Sequence, residues 1–277
     1  MAAYYNEHDP YAAQWLRNLI QAGHIAPGDV DERSIVDVRA DDIKSYKQCH
    51  FFAGIGVWSH ALRGAGWTDD RAVWTGSCPC QPFSTAGAHG GFNDERHLWP
   101  EFFRLIQEIE PLTIIGEQVA SKDGYVWLDL VQSDLENCDY TFGAVVTPAS
   151  GFGAPHQRHR MYWVADSTGS GWFGSGKGTP FQAGWEQGPE PTRELEGRPE
   201  GCTLPGNELS PTVEPRNFWS FPEWLSCIDG RSRPVEPGTF PLAHGAASRV
   251  GRLRAYGNAI CAPQAEAFVT SYMELIR

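Results

Sequence analysis

Gln48-Cys49-His50-Phe51-Phe52 is a short, largely apolar run that breaks directly into Ala53-Gly54-Ile55-Gly56. A helix-period stretch through Trp58, Ala61 and Leu62 follows, and Gly64 and Gly66 stop it. Strand, glycine turn and helix in that order send the chain back over one face of a sheet, so the next strand returns parallel to the first. The alternation recurs. Val73-Trp74-Thr75, Leu112-Thr113-Ile114-Ile115, Phe142-Gly143-Ala144-Val145-Val146 and Met161-Tyr162-Trp163-Val164 are predicted strands, with predicted helices near His97 to Ile109 and Gly124 to Glu136. The expected class is α/β with a mainly parallel sheet.

Ahead of this unit, Ala3-Tyr4-Tyr5-Asn6 reads as a strand. Asp9 then caps a helix with Pro10 at its first position, an apolar stripe of Tyr11, Trp15, Leu19 and Ile20, and Gly23 at its close. Pro27-Gly28-Asp29 reads as a turn. From about Asp166 to Pro215 the texture shifts to Gly, Pro, Ser, Thr and Glu with scattered Trp, which predicts an irregular insertion instead of a second α/β domain. A last helix, Pro263 to Ile276, follows Tyr256-Gly257-Asn258-Ala259-Ile260.

With 277 residues, 41% of them hydrophobic, the chain fits one large domain or one domain carrying a smaller insertion. No apolar run approaches a membrane span, and Glu7, His8 and Asp9 do not fit a signal peptide, so a cytoplasmic protein is expected. Seven scattered cysteines suggest neither a disulfide framework nor a zinc site. Cys78 and Cys80 form a C-x-C with no second pair, and no metal is expected. A net charge of −12 argues against a protein that coats nucleic acid without selectivity. Arg231, Arg233, Arg249, Arg252 and Arg254 nevertheless leave room for a local basic face, with a solvated surface as the alternative.

Several residues stand where chemistry is done. The turn Phe52-Ala53-Gly54-Ile55-Gly56 lets backbone approach a ligand, and the helix behind it offers free amides, although a ligand-free tight turn has the same sequence. Glu7, at the end of a neighbouring strand, is placed to accept the hydroxyls of a nucleoside ribose, whereas Asp9 is better explained as a cap. Cys80 lies just beyond a strand, with Pro79 stiffening its approach, and a thiolate is a strong nucleophile; a buried inert cysteine is the alternative, above all for Cys78. Glu117 follows the apolar run Leu112 to Ile115 and can carry a proton to a ring nitrogen, or simply cap or face solvent. Arg158 and Arg160, two apart before a strand, are expected to point one way, toward an anion or a carbonyl, or as a surface pair.

Together these pieces resemble the cytosine carbon-5 DNA methyltransferase family. Phe52-Ala53-Gly54-Ile55-Gly56 is similar to its cofactor turn and Pro79-Cys80-Gln81-Pro82-Phe83-Ser84 to its nucleophile motif. Glu117-Gln118-Val119 is similar to Glu-Asn-Val, Arg158-His159-Arg160 to Arg-x-Arg, and Gly257-Asn258-Ala259-Ile260 to the closing motif. The resemblance implies a Rossmann-like fold that binds S-adenosyl-L-methionine, and a cytosine flipped out of double-stranded DNA. It implies attack of Cys80 on ring carbon 6, Glu117 on ring nitrogen 3 and the exocyclic amine, Arg160 on the base carbonyl, and Arg158 supporting the catalytic loop. Cofactor contacts would come from Phe52, Ala53, Gly54, Ile55, Gly56, Pro79, Asn258 and Ala259.

The departures carry information too. Tyr5-Asn6-Glu7-His8-Asp9-Pro10 and Gly28-Asp29-Val30 resemble the family's second and third motifs, yet they precede the turn that ordinarily comes first. A permuted cofactor site is expected in which Glu7 still reaches the ribose, Asp29 the adenine amine, and His8 and Val30 sit beside them. Gln118 stands for the usual Asn, and Val57 where the turn often has another Gly. Residues 1–165 plus 250–277 would form the catalytic domain and 166–249 a small target-recognition region, in a monomer of bacterial, phage or prophage origin. A transfer-RNA cytosine methyltransferase and a catalytically silent DNA-binding relative are the competing readings.

Overall fold

A strand of four residues holds its place when both of its faces are covered. β1 (Ala3–Asn6), β3 (Gln48–Phe51) and β4 (Val73–Gly76) are buried at every position in the computed structural model. They occupy the middle of a seven-stranded sheet completed by β2 (Gly28–Asp31), β5 (Thr113–Val119), β6 (Thr141–Pro148) and β7 (His159–Asp166). The order is β2-β1-β3-β4-β5-β7-β6; the first five strands are mutually parallel and β7 runs antiparallel to both of its neighbours. The structure describes residues 3–79, 98–154, 156–167, 223–226, 232–235 and 257–276.

Helices cover both faces. α1 (Pro10–Gln21), α3 (Val57–Gly64) and α6 (Ala262–Leu275) lie on one, and α2 (Ala40–Ile43), α4 (Trp99–Ile109) and α5 (Lys122–Glu136) on the other. Between α3, α6 and the sheet lie Trp58, Leu62, Trp67, Ile115, Tyr162 and Val269. The opposite core is larger and richer in rings, with Phe51, Trp74, Trp99, Phe102, Trp127 and Trp163. As expected, Asp9 caps α1, its carboxylate accepting from the amides of Tyr11 and Ala12 at 2.9 and 3.2 Å.

Two expectations need correction. Pro27-Gly28-Asp29 is not a turn, because Gly28 opens β2, where a Cβ would stand 2.1 Å from the Ala3 carbonyl oxygen. Glycine is needed there for close approach of β1. Strands β5 and β7 extend beyond their apolar runs, so Glu117 lies within β5 and His159 and Arg160 within β7. An antiparallel pair, β8 (Glu223–Ser226) with β9 (Ser232–Val235), lies beyond the stretch expected to be irregular, whose residues 168–215 lie outside the described ones.

His50, in the middle of β3, is buried, stacks on Tyr5 at 4.9 Å and shares a 2.8 Å hydrogen bond with Thr75 Oγ1, while its Nε2 has no partner. Burial pushes its pKa down to about 3 from 6.5, against a small opposing pull from Asp69. The folded state therefore holds the neutral ring, so its contribution to stability is complete above pH 6.5 and is lost as the pH falls toward 3. In urea unfolding across that window, wild type should lose about 1.4 kcal/mol per pH unit more than His50→Asn; parallel curves would refute this.

Candidate active site

The register of the sheet lines up the ends of β1, β3 and β4 with Gly116 inside β5. Asn6, Phe51, Gly76 and Gly116 pair in sequence across β1, β3, β4 and β5. Glu7, Phe52, Ser77 and Glu117 are the residues immediately after that row, so they share one edge of the sheet. At roughly 4.8 Å per strand the row is about 14 Å long, enough for two adjoining subsites. From β1 the chain winds outward to β2, and from β3 it winds the other way to β5. The order reverses between β1 and β3, which is where sheets of this kind open a crevice for a ligand.

At that reversal the glycine turn is held by Glu7. Its Oε2 accepts from the Gly54 amide at 2.7 Å and its Oε1 from the Asp9 amide at 2.9 Å, while the Ala53 amide donates to the Asn6 carbonyl at 3.0 Å. Phe52, Gly54 and Gly56 all have positive φ, at 52°, 55° and 77°. A Cβ on Gly54 would meet nothing within 4 Å, so open space lies in front of the turn. On Gly56 it would press on Leu16 and Ile25 at 3.0 Å, so this glycine also seats α3 on α1. Phe52 is half-buried with its ring edge-on to Phe102.

The next strand outward carries Asp29 and Val30, which line a cleft with Tyr4, Asp31, Arg33 and Tyr46. Asp29 accepts from the Tyr46 hydroxyl at 2.8 Å. Asp31 takes the Tyr4 hydroxyl at 2.7 Å and pairs with Arg33; burial pushes its carboxyl up, but the hydrogen bonds from Arg33, helped by Tyr4, outweigh this and hold it below the usual range. His8 turns toward the Glu32 carbonyl at 3.1 Å. The turn and Glu7 are thus brought into contact, whereas Asp29, Val30 and His8 are neighbours with separate partners.

At the other end of the row Glu117 is buried and forms a 2.7 Å ion pair with Arg160 Nε. Burial pushes its carboxyl up, and the charges of Arg160 and Arg158 oppose the rise. Arg158 and Arg160 do not point one way as expected. Arg158 has φ 33°, which breaks the alternation of the strand, and its guanidinium goes instead to the carbonyls of Gly257 and Ala259. Asn258 lies exposed between them. Pro79 is exposed at the end of the segment leaving β4; Cys80, the expected nucleophile, lies outside the described residues.

Gln118, which stands where the family has Asn, turns away from the Glu117 carboxyl beside it. Glu117 and Gln118 are adjacent in β5 and so face opposite sides of the sheet. Gln118 Nε2 donates to the Cys78 carbonyl at 3.4 Å and its Oε1 accepts from the Val119 amide at 2.9 Å. Trp58 Nε1 meanwhile donates to Ser77 Oγ at 3.0 Å. The two residues between β4 and Pro79 are therefore anchored from both faces. Cys78 itself is a buried thiol whose pKa burial pushes up, which suits the inert reading given to it.

Comparison with known proteins bears on this arrangement. Residues 68–187 match the family model described as C-5 cytosine-specific DNA methylase. The chain is similar to the Type II methyltransferase M.HhaI of Haemophilus parahaemolyticus, 33% identical over 99 residues covering 34% of this chain and 30% of the relative. It is also similar to the Type II methyltransferase M.CviJI of Paramecium bursaria Chlorella virus IL3A, 26% identical over 158 residues, or 44% and 43% of the two chains. Among solved structures, a mutant of Spodoptera frugiperda DNMT2 aligns with TM-score 0.42 and 16% identity over 63% of this chain and 45% of that one. The chain spans less than half the length of these proteins. Glu117, Arg158 and Arg160 fall inside the matched span; Glu7, Asp29 and the glycine turn lie before it.

Truncating Gln118 leaves a carbonyl and an amide without their partner in a buried place. Gln118→Ala should therefore lower the unfolding free energy by about 2 kcal/mol in urea titration. A loss below about 0.5 kcal/mol would mean that water replaces both bonds.

Proposed function

We propose, because residues 68–187 match the family model described as C-5 cytosine-specific DNA methylase, that this chain transfers a methyl group from S-adenosylmethionine to carbon 5 of cytosine in double-stranded DNA. The observation that carries the reading is the buried Glu117–Arg160 pair between β5 and β7, one residue past the level at which β4 ends and the chain runs on through Pro79 to Cys80. A proton carrier and a cation beside the segment that leads to a thiol are what addition to a pyrimidine ring requires.

The residues present fit the cofactor. The open space before Gly54, its strained turn and the carboxylate of Glu7 form a cradle for a nucleoside. Glu7 would take the ribose hydroxyls, Asp29 the adenine amine and Phe52 a face of the ring, with Ala53, Ile55, Gly56, His8, Val30, Pro79, Asn258 and Ala259 around them. S-adenosylmethionine supplies an electrophilic methyl group. The strand order supports a permuted arrangement of the site, because β1, which carries Glu7, lies beside β3, which carries the turn, although it precedes it in the chain.

In the proposed mechanism the flipped cytosine is attacked at carbon 6 by the Cys80 thiolate. Glu117 donates a hydrogen bond or proton to ring nitrogen 3, for which a carboxyl raised by burial is suited near neutral pH. Arg160 holds the base carbonyl oxygen. Carbon 5 gains electron density, and once it is methylated, loss of its proton expels Cys80 and restores the ring. We assign catalysis to residues 1–165 with 250–277 and target recognition to 166–249. The protein would work in the reducing interior of a bacterial cell, in restriction–modification; Cys49, Cys78, Cys138 and Cys261 are free thiols. Among the described residues no helix is long and apolar enough to cross a membrane and no cluster of three His, Cys, Asp or Glu could hold a metal ion.

Incubation with tritiated S-adenosylmethionine should label DNA and leave transfer RNA unlabelled. Fluorocytosine DNA should trap a covalent adduct that Cys80→Ala abolishes; absence of an adduct with the intact protein would overturn the proposal. Glu117→Gln should keep its fold but lower turnover by about 10²- to 10⁴-fold, and turnover within a few-fold of wild type would remove Glu117 from its role.

A further inference from the structure

Arg158 stands just before β7 with a backbone conformation that L side chains rarely adopt, φ 33°. That conformation is what separates it from Arg160. One guanidinium crosses to Glu117, while the other turns toward a chain segment about a hundred residues further on. There Arg158 Nη2 donates to two carbonyls, Gly257 at 3.1 Å and Ala259 at 2.8 Å. The far side of the same turn is tied down as well. Tyr162 of β7 donates to the Cys261 carbonyl at 3.5 Å, and the buried Gln264, in the first turn of α6, donates to Thr147 of β6 through its carbonyl and hydroxyl oxygens at 3.0 and 3.1 Å.

We infer that Arg158 is a positioning residue that fastens the 257–259 turn to the start of β7, and so ties the cofactor side of the site, at Asn258, to its base side, at Glu117 and Arg160. The inference rests on the function proposed above, which places Asn258 and Ala259 against the cofactor. A guanidinium suits the task because one cation can neutralise the negative ends of two carbonyls, where an ammonium keeps the charge but not the planar fork. Arg158 also acts on Glu117 through charge alone. The groups facing Glu117 are Arg160 and Tyr162 from β7 and Arg158 from the segment before it. His156 lies beyond the two arginines and Cys261 beside Arg158 and Tyr162. Among these, Arg158 and Arg160 hold the Glu117 carboxyl down against the upward push of burial.

Two variants separate geometry from charge. Arg158→Ala should weaken binding of S-adenosylmethionine, measured by calorimetry without DNA, by about tenfold. It should also move the limb of the kcat profile that reports Glu117 to higher pH, because a cation that favours the ionised carboxyl is gone. Arg158→Lys should return that limb to its wild-type position and leave cofactor binding several-fold weak. This split is one that a merely structural residue would not give. If Arg158→Ala is too unstable to study, Arg158→Lys carries the test with its weakened binding at an unchanged thermal midpoint. Wild-type binding of the cofactor in both variants would overturn the inference and leave the methyltransferase reading standing. Failure of wild type itself to bind S-adenosylmethionine would overturn that reading and the inference with it.

Discussion

Gly116 is the point on which the site turns. The Trp163 ring lies over it so closely that a Cβ would sit 2.2 Å from ring atoms. The ring is fully buried between Phe142, stacked at 5.7 Å, and Trp99, edge-on at 6.3 Å. A large side chain in a slot that only glycine leaves open pins β7 on β5 in one register, because a slip by one residue would turn the tryptophan to the other face. In that register Glu117 lies opposite Tyr162 and Val119 opposite Arg160, which brings the Arg160 guanidinium diagonally onto Glu117.

The electrostatics follow from this packing. A buried carboxyl without a cation would be strongly disfavoured in its ionised form, and a buried guanidinium cannot shed its charge. Each makes the other tolerable, and neither is relaxed. Burial leaves Glu117 raised even with its partner in place, so the group stands closer to taking a proton than a surface acid would. The glycine turn at the other end of the row is held by a different device. There a carboxylate, Glu7, accepts backbone amides from two segments 45 residues apart in the chain, so local order at the turn depends on a strand that is remote in sequence.

Much of this was legible in the residues. The strands with alternating helices, the Asp9-Pro10 helix start and the Phe52–Gly56 turn all stand where their spacing and capping chemistry put them. Glu117 and Arg160 could be nominated singly, but their pairing is a matter of register between strands, which no local pattern encodes. Gly28 shows the converse difficulty. Pro-Gly-Asp is turn vocabulary, yet the glycine is there because β1 passes 2.1 Å from where a Cβ would stand. The divergence of Arg158 from Arg160 was hidden for a related reason, since a single positive φ cancels the alternation that i and i+2 would otherwise guarantee. Gln118 was visible only as a departure from a motif; its longer reach makes sense once the Cys78 carbonyl lies at its tip.

The placement of α6 has a consequence for the time course of folding. It packs on α3 and on β7, with Val269 and Tyr272 beside Trp67 and Tyr162, and Glu266 against Gly64, some two hundred residues away in the chain. Contacts that close such long loops carry a larger loop-closure cost than those within the local strand–helix units, which slows folding. The N-terminal strands and the turn held by Glu7 lie within 54 residues of one another, whereas the core face over Trp58 and Leu62 is covered by a helix some two hundred residues on. The last helix therefore acts as the latch of the assembly. An interrupted chain that ended before it would expose tryptophan and leucine side chains to its neighbours and be drawn toward aggregation or degradation.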